Sequence, residues 1–293
     1  MYNVVYCSNS KFLHFLTASI YSLLENNLTL KFTIHVLYSD INKKKLKFLK
    51  DLINKFGSSL VVYEIDENLL ENVSFLNNNF SIISYYRLLI PDLINNGTVL
   101  YLDVDTIVLG GIEPLFNLSL VNHPIAAVKD FETIKHLDGM IPNKSNEYFN
   151  SGVMVLNLDL WRSEDLSKKI LHFIKANPEL IVFADQCGLN AIIISNWLKL
   201  DPGYNFQLGF FKKKILSNLN DNTIIHFTSS KSLSHFSNFN PFAIKIFFNY
   251  LHKSSFKYHF VFKLKFIFFK CLKSFKSNIK KLYFLINYEK NST

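Results

Sequence analysis

Glycine and proline are scarce in this chain, nine and seven among 293 residues. That scarcity excludes a collagen-like repeat and any Gly/Pro-rich linker architecture. Cysteine is scarcer still. Cys7, Cys187 and Cys271 are far apart, odd in number, and form no CxxC pair or Cys/His cluster. Nothing in that spacing suggests zinc, and free thiols in a reducing compartment are the expectation. No stretch reaches the ~18 uncharged apolar residues that a spanning helix needs. Met1–Ser10 lacks the basic segment and apolar core of a secretory leader, so none is expected. Charged residues make up 19% against 49% hydrophobic, which excludes disorder of the whole chain.

Charge of one sign is also missing from most of the chain. The net charge is +9, yet residues 251–293 alone hold ten Lys and one Glu, so residues 1–250 carry 22 charges of each sign. A neutral body argues against a nucleic-acid binder, which needs a basic patch on a folded face. The chain therefore divides into a domain at 1–250 and a basic, aromatic-rich tail at 251–293.

Along the body, short β-favouring runs alternate with helical periodicity. Strands are expected at Asn3–Cys7, Phe32–Tyr38 and Leu60–Ile65, with helices at Phe12–Leu24 and Ile41–Phe56 between them. Helices are further expected at Ile82–Leu93, Leu166–Lys175 and Gln186–Ser195. Strands are expected at Thr98–Leu102, Ile125–Val128, Gly152–Leu158 and Thr223–Phe227. This alternation predicts an α/β fold with a mostly parallel sheet covered by helices.

Thr98–Leu102 is almost wholly apolar, as a strand buried on both faces must be. It runs straight into Asp103-Val104-Asp105. Two carboxylates one residue apart on extended chain point the same way. At the end of a buried strand they are costly unless something neutralises them. A hard divalent cation such as Mg2+ or Mn2+ suits that pair, at the strand ends where open α/β sheets bind ligands. A lone DxD triplet also occurs in many turns, so the pair by itself leaves both readings open.

Further stretches carry a resemblance: Tyr85-Tyr86-Arg87-Leu88, Val99 to Thr106, Tyr148 to Val153 with Asn157 and Trp161-Arg162, Ala184 to Asn190, and Ile225-His226-Phe227-Thr228. In this order and at these spacings the chain resembles the retaining glycosyltransferases of family eight, the bacterial lipopolysaccharide galactosyl- and glucosyltransferases in particular and glycogenin more distantly. The resemblance covers about residues 1–250 and implies a GT-A fold, Rossmann-like in its central sheet. It implies a uridine diphosphate (UDP) hexose donor and a lipopolysaccharide or lipooligosaccharide acceptor. By the same resemblance, Asp103, Asp105 and His226 bind manganese (or magnesium) at the donor diphosphate, a ligand set that suits the metal. Lys231 and Arg87 stand at the phosphates, Asn150 and Gly152 line the sugar pocket, and Asp130 lies near donor sugar and acceptor. Asp185 holds sugar hydroxyls, and Gln186 sits near the reacting carbon; these two are the catalytic pair. Cys7, Asn9, Phe12 and Val104 fall at nucleotide-contacting positions.

Departures from the family pattern are plain. Its first loop usually reads Asp-Asp-Asn-Tyr, where this chain has Asn9-Ser10-Lys11-Phe12. Phe12 is expected to stack on uracil and Asn9 to bond its edge. Cys187 replaces a common Asp, and the residues around Ser229 and at Ser232-Leu233 replace a Gly and a Pro-Trp. Two other readings stand beside the glycosyltransferase. One is a nucleotidyltransferase, which usually wants a Gly-rich basic loop after the first strand, absent from Ser8–Phe12. The other is a non-enzymatic membrane-binding relative.

The tail holds eleven aromatics interleaved with its lysines. Val261, Leu264, Phe268, Leu272, Phe275, Ile279, Leu282 and Ile286 share one helical sector, with Lys263, Lys270, Lys273, Lys280 and Lys281 opposite. A basic amphipathic helix of this kind is drawn to anionic lipid. The expectation is a cytoplasmic enzyme, peripheral to the inner face of a Gram-negative inner membrane, whose truncation after residue 250 stays soluble and loses liposome binding. A helix packed on the body is the competing reading.

Overall fold

The structure, a computed structural model, describes residues 1–70, 81–95, 97–131, 148–194, 196–209, 223–228, 239–256, 262–264 and 266–267. Strands β1 (Tyr2–Asn9), β2 (Phe32–Ser39) and β3 (Ser59–Glu64) run parallel, joined through helices α1 (Leu13–Glu25) and α2 (Lys43–Asn54). Strand β4 (Thr98–Leu102) lies parallel on the other side of β1, with Val4 opposite Leu100. Beyond it come β6 (Ile125–Lys129), β7 (Phe149–Asn157) and β8 (Trp197–Lys199). The seven strands stand in the order β3-β2-β1-β4-β7-β6-β8, and only β7 runs against the rest. A second sheet joins β5 (Thr106–Val108), β9 (Phe206–Gln207) and β10 (Ile224–His226), with β10 in the middle.

Alternation along β1 feeds two cores. Val4 and Tyr6 point to one face of the sheet, Val5 and Cys7 to the other. Leu16 and Ile20 of α1, Leu49 and Ile53 of α2, and Phe247 and Leu251 of helix α6 (Pro241–Lys253) bury into the first. The second takes Trp161 of α3 (Leu158–Ser163), Ile170 and Ile174 of α4 (Leu166–Ala176), and Leu189 of α5 (Asp185–Ile193). The result is a three-layer sandwich of helices about a mostly parallel sheet, as the alternation demands.

Three differences from the expected elements have local causes. Ile82–Leu93 is a 3-10 helix over Ile82–Leu89 followed by one α turn at Ile90–Leu93. Pro91 has no N–H to bond the Arg87 carbonyl, and the Ile90 N–H takes it instead. Strands β5, β8 and β9 have three, three and two residues. That is too short for periodicity to register. Helix α6 was not expected, although Asn240 caps it by accepting from the Phe242 N–H at 2.8 Å and Pro241 follows as its first residue.

The division after residue 250 falls inside α6. Leu251, Phe256 and Phe266 are buried in the first core, and the Phe262 ring meets those of His14, Phe15, Phe247 and Phe248. The described part of the tail is therefore packed on the domain. Leu264 and Ile267 face outward, 48% and 46% exposed. No helix among the described residues is long and apolar enough to cross a membrane.

Candidate active site

The site forms where β4 ends. The Asp103 N–H donates to the Gly152 carbonyl at 2.7 Å, which holds the first aspartate against β7. The Phe227 N–H donates to the Asp105 carbonyl at 2.9 Å, which holds the second against β10. Antiparallel pairing sets His226 opposite Thr106. Asp103 and Asp105 thus bridge the two sheets, and His226 arrives from the second. The His226 Nε2 lies 3.3 Å from Asp105 Oδ1 and 3.7 Å from Asp103 Oδ2.

One candidate ligand atom from each of these three residues lies within 4.8 Å of the other two. Two carboxylate oxygens and an imidazole nitrogen converging this closely suit a divalent cation of the Mg/Mn type. The backbone makes room for them. A Cβ at Gly152 would lie 2.2 Å from His226 Cε1 and 2.9 Å from Asp103 Oδ2, so only glycine fits.

Arg87 anchors the charge of this corner. Its guanidinium donates to Asp103 Oδ1 at 3.0 Å, to the Ser151 carbonyl at 2.6 Å and to the Ser84 carbonyl at 2.9 Å. It also lies over the Tyr101 ring, whose hydroxyl donates to the same Asp103 Oδ1 at 2.7 Å. Arg87 Nε pairs with Asp185 Oδ2 at 3.0 Å, but its N–H is aimed at Ser84. That oxygen of Asp185 is buried without a hydrogen bond and faces the charge of Arg87. Burial pushes the Asp185 carboxyl up to about 6 against the pull of Arg87, and nearby Asp103 adds to the rise. Ala184, just before it, holds φ at +49°, so strained backbone delivers Asp185 and Gln186 to the site.

A second set of polar side chains lies beside the first. Asp130 Oδ2 accepts from Asn150 Nδ2 at 3.1 Å and from Gln186 Nε2 at 2.9 Å. The Gln186 Oε1 accepts from the Ser151 N–H at 3.0 Å. Asn190 fastens α5 to β7 by accepting from the Phe149 N–H and donating to the Phe149 carbonyl. Arg87, Asp103, Asp105, Asp130, Asn150, Gly152, Asp185, Gln186 and His226 are thus one contiguous constellation. Val104 packs partly buried against the first core.

The remaining expected residues sit at its edge or beyond. Cys7 is buried at the end of β1, where desolvation pushes its thiol up. Asn9 Oδ1 is engaged in accepting from the Lys11 and Phe12 N–H groups, which caps the turn leading into α1. Phe12 is partly buried between the two cores. Lys231, with Ser229 and Ser232-Leu233, lies outside the described residues. Sequence reasoning missed Tyr101, Ser151 and Asn205. Tyr101 reads as one more apolar strand residue, and Asn205 as part of the Pro-Gly-Tyr-Asn turn it closes.

Comparison with known proteins gives the family and the fold. The family model for glycosyl transferase family 8 matches residues 3–232. General stress protein A of Bacillus subtilis is 30% identical over 211 residues, 70% of this chain and 73% of that protein. The lipopolysaccharide 1,3-galactosyltransferase of Salmonella typhimurium is 29% identical over 216 residues, 70% of this chain and 64% of that one. The glycosyltransferases GlyB, GlyA and GlyF of Streptococcus pneumoniae are among the other matches, and the chain spans 48%, 27% and 56% of their lengths. The crystal structure of the galactosyltransferase LgtC in complex with donor and acceptor sugar analogs superposes with a TM-score of 0.72 at 18% identity. That match covers 86% of this chain and 95% of LgtC, and it fixes the fold as GT-A. The matched segment holds every described residue of the constellation, and it decides against the nucleotidyltransferase alternative: the chain belongs to glycosyl transferase family 8 and is a glycosyltransferase.

Proposed function

We propose that this glycosyltransferase is a retaining, manganese- or magnesium-dependent hexosyltransferase. It moves galactose or glucose from a UDP-hexose to a lipid-linked oligosaccharide of the lipopolysaccharide or lipooligosaccharide type. The observation that carries the reading is the convergence of Asp103, Asp105 and His226, with a buried Asp185 joined to Asp103 through Arg87. The relative named as a lipopolysaccharide 1,3-galactosyltransferase supports the donor and acceptor class.

The residues divide the work. Asp103, Asp105 and His226 would hold the cation, which when bound neutralises charge on the diphosphate leaving group. Breaking the bond from the anomeric carbon to the diphosphate sends its electron pair to phosphate and leaves oxocarbenium character on the sugar. Arg87 holds Asp103 and Asp185 at fixed positions before substrate arrives, which is electrostatic preorganisation. Asp185, held beside Arg87, accepts from a sugar hydroxyl. Asp130, Asn150 and Gln186 shape the pocket beside it, and Lys231 is assigned to phosphate. Cys7, Asn9, Phe12 and Val104 are assigned to the nucleotide side.

The tail supports a peripheral location. Leu264 and Ile267 are outward-facing apolar groups flanked by lysines, on a segment that Phe262 and Phe266 fasten to the body. Such a surface supports peripheral attachment to an anionic membrane, the inner face of the inner membrane in a Gram-negative cell.

A donor screen tests the function. Several UDP-sugars are incubated with and without Mn2+, and released UDP is measured. Release from one or two UDP-hexoses, dependent on metal and lost in Asp103→Ala and Asp105→Ala, is expected. Release that persists in both variants refutes the metal role, and no release from any UDP-sugar refutes the donor class.

A further inference from the structure

The hydrogen bonds that run from the pocket to His226 have a direction, and the direction fixes where the imidazole carries its proton. One end is a backbone N–H, which only donates. Gly152 N–H donates to Asn150 Oδ1 at 3.0 Å, so the amide nitrogen of Asn150 faces Asp130, whose Oδ2 it meets at 3.1 Å. The same Asn150 Oδ1 accepts a second bond at 2.9 Å, from the amide nitrogen of Asn205. The oxygen of Asn205 is then the atom that meets His226 Nδ1, at 2.9 Å. An amide oxygen only accepts, so Nδ1 must donate. The neutral imidazole therefore presents the lone pair of Nε2, the nitrogen facing Asp103 and Asp105.

Asn205 is fully buried in a turn between β8 and β9, on neither strand that carries the aspartates. Its two amide atoms touch the metal corner on one side and the sugar side on the other. We propose that Asn205 is a positioning residue, which sets the His226 tautomer and ring orientation for cation binding and couples that ligand to Asn150, Asp130 and Gln186. This rests on reading Asp103, Asp105 and His226 as the metal centre. An outer partner of a ligating histidine raises ligand basicity, and its loss typically costs about 10–100-fold in affinity.

The test uses the full chain and the metal alone. Free Mn2+ is followed by electron paramagnetic resonance while wild type, Asn205→Leu and Asn205→Asp are titrated, and circular dichroism confirms that each is folded. Asn205→Leu is expected to weaken Mn2+ binding about 10–100-fold. Asn205→Asp keeps an acceptor at Nδ1 but turns its other oxygen toward Asn150 Oδ1, and it is expected to recover part of the lost affinity. Independently of any variant, nitrogen shifts of the His226 ring in Mg2+-loaded wild type are expected to show a protonated Nδ1. A folded Asn205→Leu protein that binds like wild type overturns the inference, as does Asn205→Asp binding as weakly as Asn205→Leu, or a protonated Nε2 in the Mg2+ form. Wild type that binds neither cation overturns the metal centre itself, and the role of Asn205 with it.

Discussion

Arg87 and Asp185 face each other across 3.0 Å, Nε to Oδ2, with only 5% and 3% of their side chains exposed. A buried ion pair is weak evidence for stability, but removal of one partner strands the other charge. Arg87 has a second anion to hold, Asp103, so its loss leaves two. Arg87→Ala is expected to lower unfolding free energy by about 3–5 kcal/mol in urea titrations. Arg87→Lys keeps the charge but cannot reach both carboxylates and both carbonyls from one planar group. It is expected to fold and to lose turnover about 10-fold or more, worth about 1.4 kcal/mol at the transition state.

Gly152→Ala tests the crowding of the cation corner. The new methyl needs the space that His226 Cε1 occupies, 2.2 Å away. Overpacking of this kind costs about 1–3 kcal/mol of stability. The cheapest relief is to push the imidazole away from Asp103. Calorimetry with Mn2+ is therefore expected to show a larger proportional loss in affinity than the melting temperature shows in stability. A variant with wild-type Mn2+ affinity would mean that the His226 ring has room to yield.

His14 gives the fold an acid-sensitive point. Its Nε2 is buried without a partner, and its ring lies 3.8 Å from that of Phe262. Burial pulls its pKa down from 6.5 to about 3. The folded state keeps His14 neutral, while the unfolded chain takes up a proton below 6.5. This contribution to stability is complete above pH 6.5 and is lost as pH falls toward 3, at up to about 1.4 kcal/mol per unit. Urea midpoints at pH 7 and pH 5 should fall further for wild type than for His14→Phe; equal falls would remove His14 as the cause.

Truncation separates the two roles of the tail. Ending the chain after residue 250 removes Leu251, Phe256 and Phe266 from the first core and is expected to lower the melting temperature or cause aggregation. Ending it after residue 267 keeps those contacts. That protein is expected to remain folded and to sediment less with anionic vesicles than the full chain. Undiminished vesicle binding would place the membrane contact at or before residue 267, where Leu264 and Ile267 are exposed.

The legible parts of this molecule were those that local chemistry dictates. An apolar Thr98–Leu102 needs burial on both faces, and it lies between β1 and β7. The carboxylates that follow it were legible because their charge contradicts their position. His226 stood out only through its neighbours in a familiar order, since an isolated histidine on a strand carries no sign of its partners. Asn205 was invisible for a deeper reason. Its role exists only once β10 pairs with β5 and β9, and no local pattern encodes which turn packs under which strand. The folding of Phe262 and Phe266 onto the domain was hidden in the same way, because a helical wheel shows an apolar face without showing what covers it.

The bridge between the two sheets also sets a schedule for the ribosome. Asp103 and Asp105 emerge early, with β4, but their partner on β10 emerges after all seven strands of the large sheet have been made. A nascent chain can fold much of its sheet before His226 is made. By this order of assembly, the group of Asp103, Asp105 and His226 is completed only after the large sheet, so a chain cut short before β10 carries the two carboxylates without their imidazole.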